Sequence, residues 1–189
     1  MKKWQITITM KTKNLVFIAC SLDGYIAGKN AELDWLHQTP NPENNDMGYS
    51  HFMDKIDALV MGKNTFATVC GFEGEWPYNV PVFVLSTTLN AIPEKFQDKA
   101  ELLQGELNDV LKTIHAKGFE RLYIDGGATI NSFLKADLID EITITSMPIL
   151  LGGGTPLFKE LPQSLNFSLI KSHVFLGAVV QSTYRRKRS

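Results

Sequence analysis

The chain has 189 residues, 44% of them apolar and 21% charged, with a net charge of −1. That length suits one domain with its own core, and the near-neutral balance gives no electrostatic case for nucleic acid or an anionic membrane. Two cysteines, Cys20 and Cys70, are too few for a disulfide framework.

Residues 1–13 read as an N-terminal extension, or residues 1–9 as an extra strand in which Ile6 and Ile8 alternate; both readings stay open. The start lacks the apolar segment and cleavage site of a secretory leader, and no run has the length of a bilayer span. A cytoplasmic location is therefore expected. Leu15–Cys20 is an apolar run of strand length, and Ser21–Gly28, with two glycines, is a turn or functional loop. Asn30–Asn45, carrying Pro40, Pro42 and several asparagines, reads as a long irregular loop, a length associated with function or disorder. Asp46 suits the N-cap of a short helix running towards Ile56.

Ala58–Met61 is a second strand, ended by Gly62, with a helix over Asn64–Val69. Val80–Ser86 is a third strand and Leu102–Gln104 a short fourth. Apolar residues at 107, 110, 111 and 114 predict a helix over Asn108–Lys117, closed by Gly118. Arg121–Ile124 is the next strand and Ala128–Ala136 the next helix. Glu141–Leu151 and Phe167–Tyr184 read as long strands, the second broken near Ser172 or Gly177. The tail Arg185–Arg186–Lys187–Arg188 reads as a solubilising end.

Strand–helix units followed by strands predict a single α/β domain over residues 1–189. Its sheet is mostly parallel, covered by helices on both faces, with an antiparallel strand from the C-terminus. Ligands in such sheets sit beyond the carboxyl ends of the strands. There the sequence places Ser21–Leu22–Asp23–Gly24, Gly62–Lys63–Asn64–Thr65, Ser86–Thr87–Thr88 and Asp125–Gly126–Gly127–Ala128–Thr129. Glycine or a small hydroxyl at every strand end suits a long polyanionic ligand. Other chemistries fail on spacing. Position 57, where a Walker A loop needs glycine, is Asp, and Lys63 is followed by Asn64. The histidines at 37, 51, 115 and 173 have no metal spacing, so no metal is expected. No G-x-S-x-G elbow occurs.

The segments "ACSLDGYIAG", "LVMGKNTF", "VFVLSTT", "LYIDGGATINSFL" and "ITSMPILLGGGTPLF", in that order over residues 14 to 184, resemble the dihydrofolate reductase-like fold. More closely, they resemble its branch related to the C-terminal reductase domain of the bifunctional riboflavin-biosynthesis deaminase-reductase. The resemblance implies a three-layer α/β/α domain and an NADPH-dependent reductase acting on a C=N or C=O of a small pyrimidine- or pteridine-like heterocycle. It also implies a homodimer formed through the C-terminal strands. Dihydrofolate reductase activity and a non-catalytic NADPH-binding module are the alternatives.

By the same resemblance, Gly62, Asn64 and Thr65 with the following helix start hold the pyrophosphate, and Lys63 the adenosine 2′-phosphate. Ser86 and Thr87 form the adenine and ribose-phosphate shelf. Gly126 and Gly127 admit the pyrophosphate, and the N–H groups of Ala128, Thr129 and Ile130 make a second anion site. Backbone near Ala19 and Ile26 meets the nicotinamide carboxamide. Asp46 is the expected proton relay, with Glu43 or a water as substitutes. Asp23 shapes a turn or touches substrate, while Trp35 and Phe52 are candidate pocket walls. The first arginine is Arg121, which leaves no cluster in the first 120 residues for a phosphoribosyl group. The zinc signature of the deaminase half does not occur in these residues.

Overall fold

In the computed structural model, which describes residues 12–188, strands alternate with helices up to residue 147. The reading of residues 1–9 lies outside the described residues. The first strands are β1 (Lys13–Ser21), β2 (Tyr25–Ala27), β3 (Ala58–Gly62), β4 (Val82–Leu85) and β5 (Ala100–Leu103). Then come β6 (Arg121–Asp125), β7 (Glu141–Met147), β8 (Thr155–Pro156), β9 (Phe167–Phe175) and β10 (Val179–Arg186). The helices are α1 (Tyr49–Met53), α2 (Lys63–Cys70), α3 (Leu107–Ala116) and α4 (Gly127–Lys135).

Eight strands form one sheet in the order β5-β4-β3-β6-β1-β7-β10-β9. The six from β5 to β7 are parallel, β10 runs antiparallel to β7, and β9 runs antiparallel to β10. The expected antiparallel C-terminal strand is β10, which forms a hairpin with β9. Its turn falls at Leu176 and Gly177, both at positive φ, rather than at Ser172. Strand β2 pairs with β8 in a separate two-stranded ribbon that the sequence did not announce. Apart from the connection through α1 and a short helical turn at Asp34–His37, residues 28–57 are irregular, as expected.

Period-two alternation sorts the strand residues between the two faces. Leu15, Leu59, Met61 and Tyr123 pack on one face against Phe66 and Val69 of α2, with Tyr49 and Phe52 of α1 beside them. Val16, Ala58, Val60, Leu122 and Ile124 pack on the other against Val110, Leu111 and Ile114 of α3 and Ile130, Phe133 and Leu134 of α4. Each large side chain fully buried there, such as Phe133, contributes about 2–3 kcal/mol of transfer free energy. Thus α1 and α2 cover one face of the sheet, and α3 and α4 cover the other. Cys20 lies in this core, and burial pushes its thiol pKa up.

The basic tail is not a loose solubilising end. Arg186 Nε sits 2.6 Å from Asp137 Oδ1 and Arg188 Nη1 2.5 Å from Asp140 Oδ1, so β10 is pinned to the segment before β7. Among the described residues no helix is long and apolar enough to cross a membrane.

Candidate active site

Beyond the carboxyl ends of β1, β3, β4 and β6 lies a cleft of about 870 Å³. Its centre is built from the starts of α2 and α4. Neither helix start carries a side-chain cap. The first N–H groups of both helices are therefore available to an anion, where the helix dipoles favour one.

The two starts interlock. A Cβ on Gly126 would run into the Thr65 hydroxyl, and one on Gly62 would lie 3.0 Å from Thr129 Oγ1. Gly126 also holds φ 86° and ψ 134°, a conformation other residues avoid. Gly127 lies against Ile26, whose Cδ1 would be 2.7 Å from an added Cβ. These glycines are required first by the packing of protein on protein, which brings two uncapped helix ends side by side.

Gly62, Lys63, Asn64, Thr65, Ser86, Thr87, Gly126, Gly127, Ala128 and Thr129 all line the cleft, as do Ala19 and Ile26. Lys63 Nζ donates to Thr88 Oγ1 at 2.7 Å, fixing the ammonium over the β4 end of the cleft. Ser86 Oγ accepts from Leu89 N at 2.9 Å and so shapes the turn that forms this shelf. Ile130 departs from expectation. Its N–H is spent inside the helix on Gly126 O at 2.9 Å, and its side chain is core.

Family membership is decided by a match of the RibD C-terminal domain model to residues 13–180. The chain belongs to the RibD C-terminal domain family. A structure from Shewanella sp. PV-4, whose name places that protein in riboflavin biosynthesis, is 56% identical, with a TM-score of 0.91. The match covers 93% of this chain and 99% of that one. The Thermotoga maritima diaminohydroxyphosphoribosylaminopyrimidine deaminase/5-amino-6-(5-phosphoribosylamino)uracil reductase is 13% identical, with a TM-score of 0.69, over 94% of this chain and 57% of that one. Enterococcus faecalis dihydrofolate reductase, solved with NADP(H), is 18% identical, with a TM-score of 0.63, over 93% and 97%. The last two likenesses concern the fold, which is dihydrofolate reductase-like. The family is reductase-like.

Within this RibD-type cleft, four expected site residues lie elsewhere. Asp46 is exposed, and its carboxylate accepts from Gly48 N at 2.8 Å and Ser50 N at 2.9 Å. Bonds from Ser50 lead the causes that hold its pKa below the usual carboxylate range, and its carboxylate caps the backbone at the start of α1, two residues before the N-cap Gly48. Asp23 is also outside the cleft. It accepts from Ser21 Oγ at 2.5 Å, Leu151 N at 3.1 Å and Gly152 N at 2.8 Å, tying the turn after β1 to the loop after β7. The Ser21 bond leads the causes that lower its pKa. Trp35 is 3% exposed and packed with Met147 and Val179; its neighbours Leu33 and Leu36 face the cleft instead. Phe52 stands behind the wall, 5.0 Å between ring centroids from both Phe17 and Tyr123, which do line it. Glu43 is likewise absent from the lining residues.

The acid that does reach the cleft is Asp125, the last residue of β6. Burial pushes its carboxyl pKa up, against the lowering effect of the Gly126 N–H, which donates to Oδ1 at 2.8 Å. Tyr123 donates to Phe17 O at 2.8 Å. Burial also pushes Tyr49 up to about 12 and raises Tyr78 and Tyr123 further, with the Asp125 charge adding to each. The sequence signal was present in the quoted "IDGG" segment. It was read for its glycines and not for the carboxyl that precedes them.

Proposed function

We propose that the protein is a cytoplasmic, homodimeric NADPH-dependent reductase that reduces a C=N or C=O of a small heterocyclic substrate, pyrimidine- or pteridine-like. The carrying observation is the interlocked pair of uncapped helix starts, Gly62–Thr65 and Gly126–Thr129, opening on one cleft. Two donor sets a few residues deep suit the two phosphates of a dinucleotide. Lys63, fixed near the Ser86–Thr87 shelf, suits an additional 2′-phosphate and so favours NADPH over NADH.

When bound, NADPH would supply the hydride. The chain's share is to hold the cofactor, wall off water with Phe17, Tyr78 and Tyr123, and provide the proton that the substrate nitrogen or oxygen takes up. Asp125 replaces Asp46 in that last role, because it is the carboxyl that lines the cleft and its partly buried setting raises its proton affinity. The homodimer is supported by the free end of the sheet. Leu169 and Val174 on edge strand β9 are 58% and 59% exposed, a costly arrangement for an edge strand left in water.

The test is titration of the protein with NADPH and with NADH, followed by nicotinamide fluorescence. Micromolar NADPH binding with weaker NADH binding is expected, and no NADPH binding at that concentration would overturn the reading. Loss of nicotinamide absorbance with dihydrofolate or with a riboflavin-pathway pyrimidine then identifies the substrate type.

A further inference from the structure

This inference rests on the reductase reading and concerns the charge balance around the cofactor's pyrophosphate. Asn131, on the second turn of α4, is 3% exposed, and both ends of its side-chain amide are bound. Nδ2 donates to Gly127 O at 2.7 Å and to Leu157 O at 2.8 Å, and Oδ1 accepts from Lys159 N at 2.8 Å. Two of these bonds reach 26 and 28 residues along the chain, so one amide pins residues 157–159 to the first turn of α4. The same segment is fixed from its other side, by Leu157 N donating to Gly24 O at 2.8 Å and by the pairing of β8 with β2. A buried amide left half-satisfied is unfavourable, which holds this arrangement in place.

Pinned in this way, Thr155 and Lys159 line the cleft with Ala128 and Ser132 of α4. The cations lining the cleft, among the described residues, are Lys63 and Lys159. Lys63 is committed to Thr88 beyond β4, whereas α4 follows β6 on the other side of β3. Lys159 enters no ion pair among the described residues, whereas Lys13, Lys99, Lys112 and Lys117 each face a carboxylate. A pyrophosphate over the starts of α2 and α4 is doubly negative, and two helix dipoles offset roughly half a charge each. About one negative charge is left on the same estimate, and one ammonium matches it.

We infer that Lys159 binds the cofactor's pyrophosphate and that Asn131 is its positioning residue, a single amide fixing both the helix start and the cation that share one anion. The two lysines then divide the cofactor. Lys63 discriminates NADPH from NADH, and Lys159 does not, because the pyrophosphate is common to both.

NADPH, NADH and adenosine 2′-phosphate, which lacks the pyrophosphate, are titrated calorimetrically into the full chain and its variants. Lys159→Ala is expected to weaken NADPH and NADH alike, by about tenfold, and adenosine 2′-phosphate by less than about twofold. The loss should shrink as salt is raised, and Lys159→Arg should recover most of it. Asn131→Ala should weaken both cofactors at least as much, and adding Lys159→Ala to it should cost no more than about a further twofold. Additive losses would make Asn131 a structural residue only and overturn its positioning role. Unchanged affinity for either nicotinamide cofactor in Lys159→Ala overturns the inference, as does an equal loss of adenosine 2′-phosphate. Lys159 is exposed, so its variants decide the matter even where Asn131→Ala fails to fold. Wild-type protein that binds neither cofactor at millimolar concentration refutes the reductase reading and this inference together. Binding that Lys159→Ala leaves intact refutes this inference alone.

Discussion

The hydroxyl of Thr65 occupies the space that a side chain at residue 126 would need, so the start of α2 seals against the residue that launches α4. Gly62 and Thr129 repeat the arrangement in the reverse sense. Because each helix supplies the threonine that fits the other's glycine, the two helix ends are fixed relative to one another before any ligand arrives. Such preorganisation removes an ordering cost from anion binding.

Gly126→Ala tests this arrangement directly. Backbone strain alone should cost about 1–3 kcal/mol, and the encounter with Thr65 adds to it. Urea unfolding measures the first effect and NADPH titration should show at least a tenfold loss. A variant within 0.5 kcal/mol of wild type, on the order expected for a neutral surface change, would show that the two helix starts do not constrain each other.

Lys63→Ala should separate the two nicotinamide cofactors. Loss of one charge-assisted contact predicts about a tenfold weaker NADPH complex, or about 1.4 kcal/mol. NADH affinity should stay within about twofold on the same argument. Equal weakening of both would remove Lys63 from the 2′-phosphate.

Asp125→Asn should lower turnover by about 10²–10⁴-fold, the usual range for a lost general acid, with NADPH affinity retained. The carboxyl also predicts a pH signature. Its folded pKa is raised above the unfolded value, so the folded state binds the proton more readily. Its stabilising contribution is complete below the unfolded pKa and is lost as pH rises through the folded one. The wild type should thus lose stability relative to Asp125→Asn between acid and neutral pH. Parallel urea curves for the two proteins at pH 4, 5.5 and 7 read this out, and a constant difference would contradict it.

Asp46→Ala is the counterpart. Removal of the helix cap should cost about 1 kcal/mol while leaving turnover within about twofold. The lowered pKa gives the opposite sign, with the contribution of Asp46 present above the unfolded pKa and lost as pH falls through the folded one. A hundredfold loss of turnover would restore Asp46 as the proton source.

Val174→Lys, on the exposed edge strand, should convert a dimer to a monomer in light scattering without unfolding the chain. An unchanged mass would move the interface elsewhere.

The strands and helices were largely legible because their signals are local. The continuous apolar run Leu15–Cys20 and the apolar spacing from Leu107 to Ile114 each survive without tertiary information. So did the cleft residues at strand ends, since a parallel sheet places all those ends on one side. The acid was misplaced for a physical reason. Asp46 and Asp125 each stand next to a helix, and only the solvation of the carboxyl tells a cap from an acid. The cleft into which Asp125 opens is also lined by Tyr123, Tyr78 and Phe17, which come from three separated stretches of chain. The same holds for the tail, where Arg186 and Arg188 find Asp137 and Asp140 only after β10 has docked.

Strand β1 sits between β6 and β7, pairing Lys13 with Arg121 and Leu15 with Glu141. The first of the described strands therefore gains both neighbours only after residues 121–147 have been made. During synthesis β3, β4 and β5 can assemble early, while β1 remains a bare apolar segment in need of shielding. Folding should accordingly be slow for the size of the domain and sensitive to chaperone supply. Because Ala19 lies on β1 and Gly126 follows β6, the cleft takes shape only once β1 has docked beside β6, and ligand capture would report that docking.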